Sequence, residues 1–155
     1  MIEPIEFSVV GKPITAGSKK AFPLFKGGKF IRSIITDDTG APGKIWRALV
    51  QDRAREAFVG RALLDCPLRV WMEFRVVRPK GHIGAKGLRP SAPALPVTKP
   101  DVLKMARAIE DALTGVVWRD DSIITTETIR KRYANEAGVT VQIKEDSEEW
   151  KELAG

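Results

Sequence analysis

A chain of 155 residues, 43% apolar and 30% charged, suits one globular domain with a single core. A lone Cys66, a lone His82, and the lack of a P-loop or a G-x-G-x-x-G run speak against disulfide frameworks, Cys- or His-based zinc, Ser-His-Asp catalysis and nucleotide folds. Carboxylate-and-metal chemistry is what remains. The net charge of +6 conceals an imbalance: in residues 145–155 five acids oppose Lys151, a net −4, so the body before them carries +10. Such a body suits a polyanionic partner, nucleic acid above all. No apolar run reaches a membrane span and M-I-E-P-I-E has no signal-peptide layout, which makes a cytoplasmic protein the expectation.

Ile5, Phe7 and Val9 alternate with polar residues as a first strand, ended by Gly11-Lys12-Pro13. From Ser8 to Thr36 there is no acid, while Lys12, Lys19, Lys20, Lys26, Lys29 and Arg32 are all present. Gly27-Gly28 between Ala21–Phe25 and Phe30–Ile35 predicts a hairpin within a basic segment, 11–36, fit to grip phosphates. A turn cluster, 37–43, precedes a helix with Ile45, Trp46, Leu49, Val50, Ala54, Ala57 and Phe58 on one stripe, closed by Gly60. Trp46 lies on that stripe and reads as core. Arg47, Arg53 and Arg55 lie off it, facing solvent or DNA.

Leu68, Val70, Met72, Phe74 and Val76 alternate as a strong strand. Residues 78–97 then hold Pro79, Pro90, Pro93 and Pro96, with Lys80, Lys86 and Arg89 and no acid. A loop of that length in a small domain is functional or disordered, and we read it as a mobile basic arm. Near the C-terminus, Ile123-Ile124 begins a strand running into Arg130-Lys131-Arg132-Tyr133. Val139, Val141 and Ile143 form its return, and a short helix carries Trp150 and Leu153 in an acidic tail, 145–155. The whole is a single domain, 1–155, of α+β class: a mixed β-sheet with helices packed against it.

The stretch that organises the chain is K-P-D-V-L-K-M-A-R-A-I-E-D-A-L-T-G-V-V-W-R-D-D, residues 99–121. Asp101 stands at the N-cap, able to accept free N–H groups of the first turn. Val102, Met105, Ala106, Ile109, Ala112 and Leu113 form the apolar arc, and Gly115 is the stop. Glu110, Leu103, Arg107, Asp111 and Lys104 share the other arc. A carboxylate at the helix start and Asp120-Asp121 at the next strand's start fit a Mg²⁺ site, although Asp is also favoured at both places for purely local reasons.

Lys99-Pro100-Asp101, Asp111-Ala112-Leu113-Thr114-Gly115 and Asp120-Asp121 together resemble the core motif of the RusA family of Holliday-junction resolvases, roughly K-P-D-x-D-N-L-x-K-x-x-x-D-A-L, a short turn, then D-D. Val9-Val10-Gly11-Lys12-Pro13 with Gly17-Ser18-Lys19-Lys20 is similar to the start of many members. The chain departs from the pattern: Leu103 stands where the family has its second carboxylate, Lys104 where it has Asn, and Arg107 where it has Lys. The resemblance implies a RusA-like fold, a homodimer, and a Mg²⁺-dependent endonuclease (Mn²⁺ as substitute) that cuts four-way junctions in DNA recombination and repair. Asp101 and Asp121 would hold the metal with Asp120 as helper, and Arg107 would stabilise developing charge. Lys12, Lys19, Lys20, Lys80, Lys86, Arg89, Lys99, Lys104, Arg130, Lys131 and Arg132 are the expected DNA contacts. The alternative is a catalytically impaired DNA-binding member, on account of Leu103.

Overall fold

The apolar alternation from Leu68 onward builds an inner strand of the main sheet. A computed structural model of the protein describes residues 1–17, 19–37 and 40–147. The helix expected around Trp150 and Leu153 lies outside them, as do Ser18, Asp38 and Thr39. In chain order the elements are β1 (Ile5–Val10), β2 (Lys19–Lys26), β3 (Lys29–Asp37), α1 (Gly40–Ala57), β4 (Leu68–Val76), β5 (Ile83–Gly84), β6 (Gly87–Leu88), α2 (Val102–Leu113), β7 (Ile124–Tyr133) and β8 (Gly138–Glu145).

β1, β8, β4 and β7 lie side by side in that order. The first two pairings are antiparallel, while β4 and β7 run parallel. A parallel pair needs a long crossover, and residues 78–123, with α2 inside them, supply it. The mixed α+β architecture is as expected. One face of the sheet presents Ile5, Phe7 and Val9, then Leu68, Val70, Met72 and Phe74, then Val139, Val141 and Ile143, all buried. α1 covers it over β1 and α2 covers it over β4 and β7. The opposite face is polar, with Glu73 paired to Arg132 and Arg130 at 2.7 and 3.4 Å, and Arg75 bonded to Thr140.

α1 begins at Gly40, inside the stretch read as a turn cluster. Pro42 sits in the first turn, where a missing N–H breaks no helical bond, so proline does not delay the helix. Trp46 is buried at 3% exposure, as its place on the stripe demands. Arg47 and Gln51 donate to the carbonyls of Asp111 and Ala112 at 3.2 and 3.1 Å. These are carbonyls at the C-terminal end of α2 that lack helical partners, so α1 caps α2 from the side. Gly138 opens β8 between β1 and β4, and a Cβ there would run into the Val9 carbonyl.

The hairpin expected across Gly27-Gly28 is present. Both glycines are left-handed (φ +60° and +78°), the conformation a two-residue hairpin turn requires, and Lys26 pairs with Lys29 across it. β2 and β3 form a two-stranded sheet of their own. The segment 78–97, read as a basic arm, contains short regular pieces. It carries a single helical turn (Lys80–His82) and the β5–β6 ribbon. Arg78 donates to the Pro93 carbonyl at 2.8 Å and lies 4.2 Å from the centre of the Tyr133 ring.

Candidate active site at the start of the second helix

α2 forms where the sequence places it, and Asp101 holds the N-cap position with extended backbone (φ −70°, ψ 134°). Its carboxylate makes no capping hydrogen bond. The expectation that Asp101 caps its own helix is therefore corrected: only its carbonyl serves the helix, accepting from Met105 N–H at 3.1 Å. The carboxylate is exposed, 3.6 Å from Lys104 Nζ. An ion pair this open is worth little, so the carboxylate is not committed to structure.

The approach to Asp101 is held from β7. Lys131 Nζ donates to the carbonyls of Thr98 and Pro100 at 2.7 and 2.9 Å. Lys131 lies on the covered face of the sheet because it pairs with Phe74. Its ammonium thus fixes the residues just before Asp101. From the N-terminal side, Ala16 N–H donates to the Lys104 carbonyl at 3.1 Å, bringing the segment after Lys12 against the first turn of α2.

At the other end of α2, Gly115 (φ +81°) ends the helix and the chain turns back to Asp120 and Asp121. Asp120 Oδ1 accepts from Ser122 N–H at 2.8 Å, and that bond holds the carboxyl below the usual carboxylate range. Asp120 therefore serves its own turn. Asp121 is exposed at the start of the single helical turn leading into β7. Among the described residues no three acids, histidines or cysteines form a ready metal cage. Leu103 is 70% exposed and Arg107 exposed, both off the apolar arc as the helical periodicity requires.

Two acids the sequence reading passed over meet between α2 and β7. Glu127 pairs with Val70 across the sheet, so it points to the covered face, toward α2. Its Oε1 is buried with no hydrogen-bond donor. Glu110 of α2 lies beside it, and burial, a hydrogen bond with Glu127, and repulsion from Glu127, Asp121 and Asp111 push the Glu110 carboxyl up to about 8. Two carboxyls bond only while a proton is shared between them. The sequence did carry a signal. Glu127, Ile129 and Lys131 occupy the alternate positions of β7 that face inward, where a charged residue needs a purpose.

Lys12, Arg78, Lys80, Lys99 and Lys131 line, with Tyr133 and several prolines, a groove of about 580 Å³ leading to Pro100 and containing no acid. Lys86 and Arg89 are exposed on the loop beside it. Arg130 and Arg132 lie instead on the open sheet face, drawn to Glu73. Lys19 and Lys20 fall within β2, with side chains outside the described set. Lys131 and the Arg130–Arg132 pair therefore lie on opposite faces of the sheet.

Asp101 follows directly on Pro100, which lines the basic groove. The model of the RusA endodeoxyribonucleases matches residues 28–144, and the chain belongs to that family, whose members act on Holliday junctions. It is also 28% identical over 151 residues to the uncharacterized protein YqaN of Bacillus subtilis (strain 168), spanning 92% of this chain and 97% of that protein. Among the described residues no helix is long and apolar enough to cross a membrane.

Proposed function

We propose that this chain is a divalent-metal-dependent endodeoxyribonuclease that cuts four-way DNA junctions as a homodimer. The observation that carries the reading is the Asp101 carboxylate, which occupies a helix-capping position yet makes no capping bond, in a member of a junction-cutting family. Asp101 and Asp121 are exposed oxygen donors, and such donors suit Mg²⁺, with Mn²⁺ as substitute. A Mg²⁺ seat needs only one or two carboxylates, its waters filling the rest, so a three-acid cage is not required. Bound there, the ion supplies Lewis acidity to the scissile phosphate and the attacking water.

The chain's own residues do the remainder. Lys131 keeps Asp101 in place through the carbonyls of Thr98 and Pro100. Arg107, always charged, clamps a phosphate oxygen as negative charge develops but cannot act as a titrating acid or base. The groove lysines Lys12, Lys80 and Lys99, with Lys86, Arg89 and Lys104 near it, hold the backbone without reading bases. Two copies related by a two-fold axis would place one such site on each of two opposed strands of a junction.

A second reading rests on Leu103. The family's second carboxylate is missing there and the leucine is exposed, which suits a member that binds junctions without cutting them. Incubating the protein with a synthetic four-way junction, with and without Mg²⁺, separates the two. On the first reading symmetric nicks appear with Mg²⁺, and Asp101→Asn or Asp121→Asn lowers the rate by about a hundredfold or more while junction binding persists. On the second, the parent is silent and Leu103→Asp creates Mg²⁺-dependent nicking.

A further inference from the structure

The β2–β3 hairpin has no part in the site just described. An isolated two-stranded ribbon is marginal in water, and apolar side chains on one are normally covered by a third element. Here they are not. Among the described residues neither strand packs substantially on a helix or on the four-stranded sheet. Phe22, Ile31 and Ile34 are exposed along the ribbon, and at its tip Phe25 and Phe30 are 58% and 59% exposed. Those two rings meet edge to face, their centres 6.0 Å apart, just before and after the Gly27-Gly28 turn. Lys26 and Lys29 are the paired residues beside them, Arg32 follows on β3, and no acid occurs between Ser8 and Thr36.

That combination narrows the occupant. A second copy's hairpin would bring the same cations and repel. A partner that suits aromatic rings and unopposed cations together must present flat apolar faces and dense negative charge within a few ångströms. DNA does so only where its stack is broken, since a continuous duplex covers its base faces with neighbouring bases. Aromatic side chains accept any base on their faces, and apolar wedges enter opened steps.

We propose that the hairpin is a branch-reading arm: Phe25 and Phe30 stack on bases unstacked at the branch point, while Lys26, Lys29 and Arg32 hold the adjoining phosphates. The inference rests on the junction reading above and names the part of the protein that distinguishes a junction from a duplex. Eight residues of β2 give an arm roughly 25 Å long, enough to cross a duplex.

The test compares the wild-type protein with Phe25→Ala/Phe30→Ala and Phe25→Leu/Phe30→Leu, in EDTA so that nothing is cut. Affinity for a four-way junction and for a duplex of the same arm sequence is measured over a salt series. Permanganate reactivity of branch-point thymines and particle mass by light scattering are measured alongside. Wild type should prefer the junction and make those thymines reactive. Both double variants should lose the reactivity and at least about tenfold of the preference, with duplex affinity and its salt slope unchanged. The leucine variant keeps the ribbon apolar, so its failure assigns the loss to stacking. Variants that retain preference and reactivity would overturn the arm and leave the junction reading standing. A wild type without junction preference would instead remove the junction reading, and the arm with it. A halved mass for the alanine variant but not the leucine variant would mean that a second copy covers the hairpin, which also overturns the proposal.

Discussion

Two regions of this protein are built of apolar, extended chain and meet opposite fates. In β4, Leu68, Val70, Met72 and Phe74 share one face and every one is wholly buried. In the hairpin, Phe22, Leu24, Phe25, Phe30 and Ile34 are as apolar and as strand-prone, yet all are exposed by a third or more. β4 has neighbours on both edges and a helix across its face, whereas β2 has only β3. The contrast separates two roles of an apolar strand residue. In the body it stabilises the fold; in the hairpin the same chemistry remains available to a partner.

The sharpest way to break this contrast is truncation of one phenylalanine in each place. Phe74→Ala should cost about 3–5 kcal/mol, a large share of a small domain's stability, while Phe25→Ala should stay within about 0.5 kcal/mol of wild type. Denaturant titration of both variants would measure the difference, and equal losses would mean the hairpin is packed in solution. A smaller effect comes from the backbone of the body. Gly138→Ala puts a methyl group against the Val9 carbonyl where β8 enters between β1 and β4, and about 1–3 kcal/mol should be lost with no change in DNA affinity. The same glycine-to-alanine change at Gly27 meets no atom but forces a left-handed residue, so its effect should be confined to the hairpin.

An effect read as a trend with pH belongs to the acids between α2 and β7. Glu110 retains its proton to about 8 in the folded state, against an ordinary carboxylate value of 4.5. The folded protein thus binds more protons than the unfolded chain between those values. The stability this contributes is fully present below pH 4.5 and is lost as pH rises through about 8. Glu110→Gln should abolish that trend. In EDTA, the melting temperature of the variant should gain on wild type by a few degrees between pH 5 and pH 9, and a constant difference across that range would contradict the Glu110–Glu127 pairing.

Much of the fold was legible from residue order. Period two placed β4, Gly27-Gly28 placed the hairpin turn, and the arc from Val102 to Leu113 with Gly115 after it placed α2. Each is a local preference that the finished fold leaves intact. α1 was misjudged at its start because a run of Gly and Pro reads as a turn, although proline in a first turn is compatible with a helix. Of the candidate site, Asp101 and Asp121 were legible as types in a pattern, but the chemical state of Asp101 was not. Whether a carboxylate at an N-cap accepts its helix's N–H groups depends on a side-chain rotamer, which sequence does not encode by itself.

What sequence alone determined was the long strands and the two helices of the body and the imbalance of charge, since both follow from short-range spacing and from counting. Tertiary structure decided which of those elements would be neighbours. By running β7 parallel to β4 it placed Glu127 against Glu110 and Lys131 beneath Thr98 and Pro100, contacts spanning residues far apart in the chain. It sent Arg130 and Arg132 to Glu73 on the opposite face, because successive strand residues point to opposite sides and the register fixes which side is covered. It also left the hairpin uncovered. Local pattern can say that a residue is apolar and extended, but only the positions of distant strands and helices say whether water remains beside it.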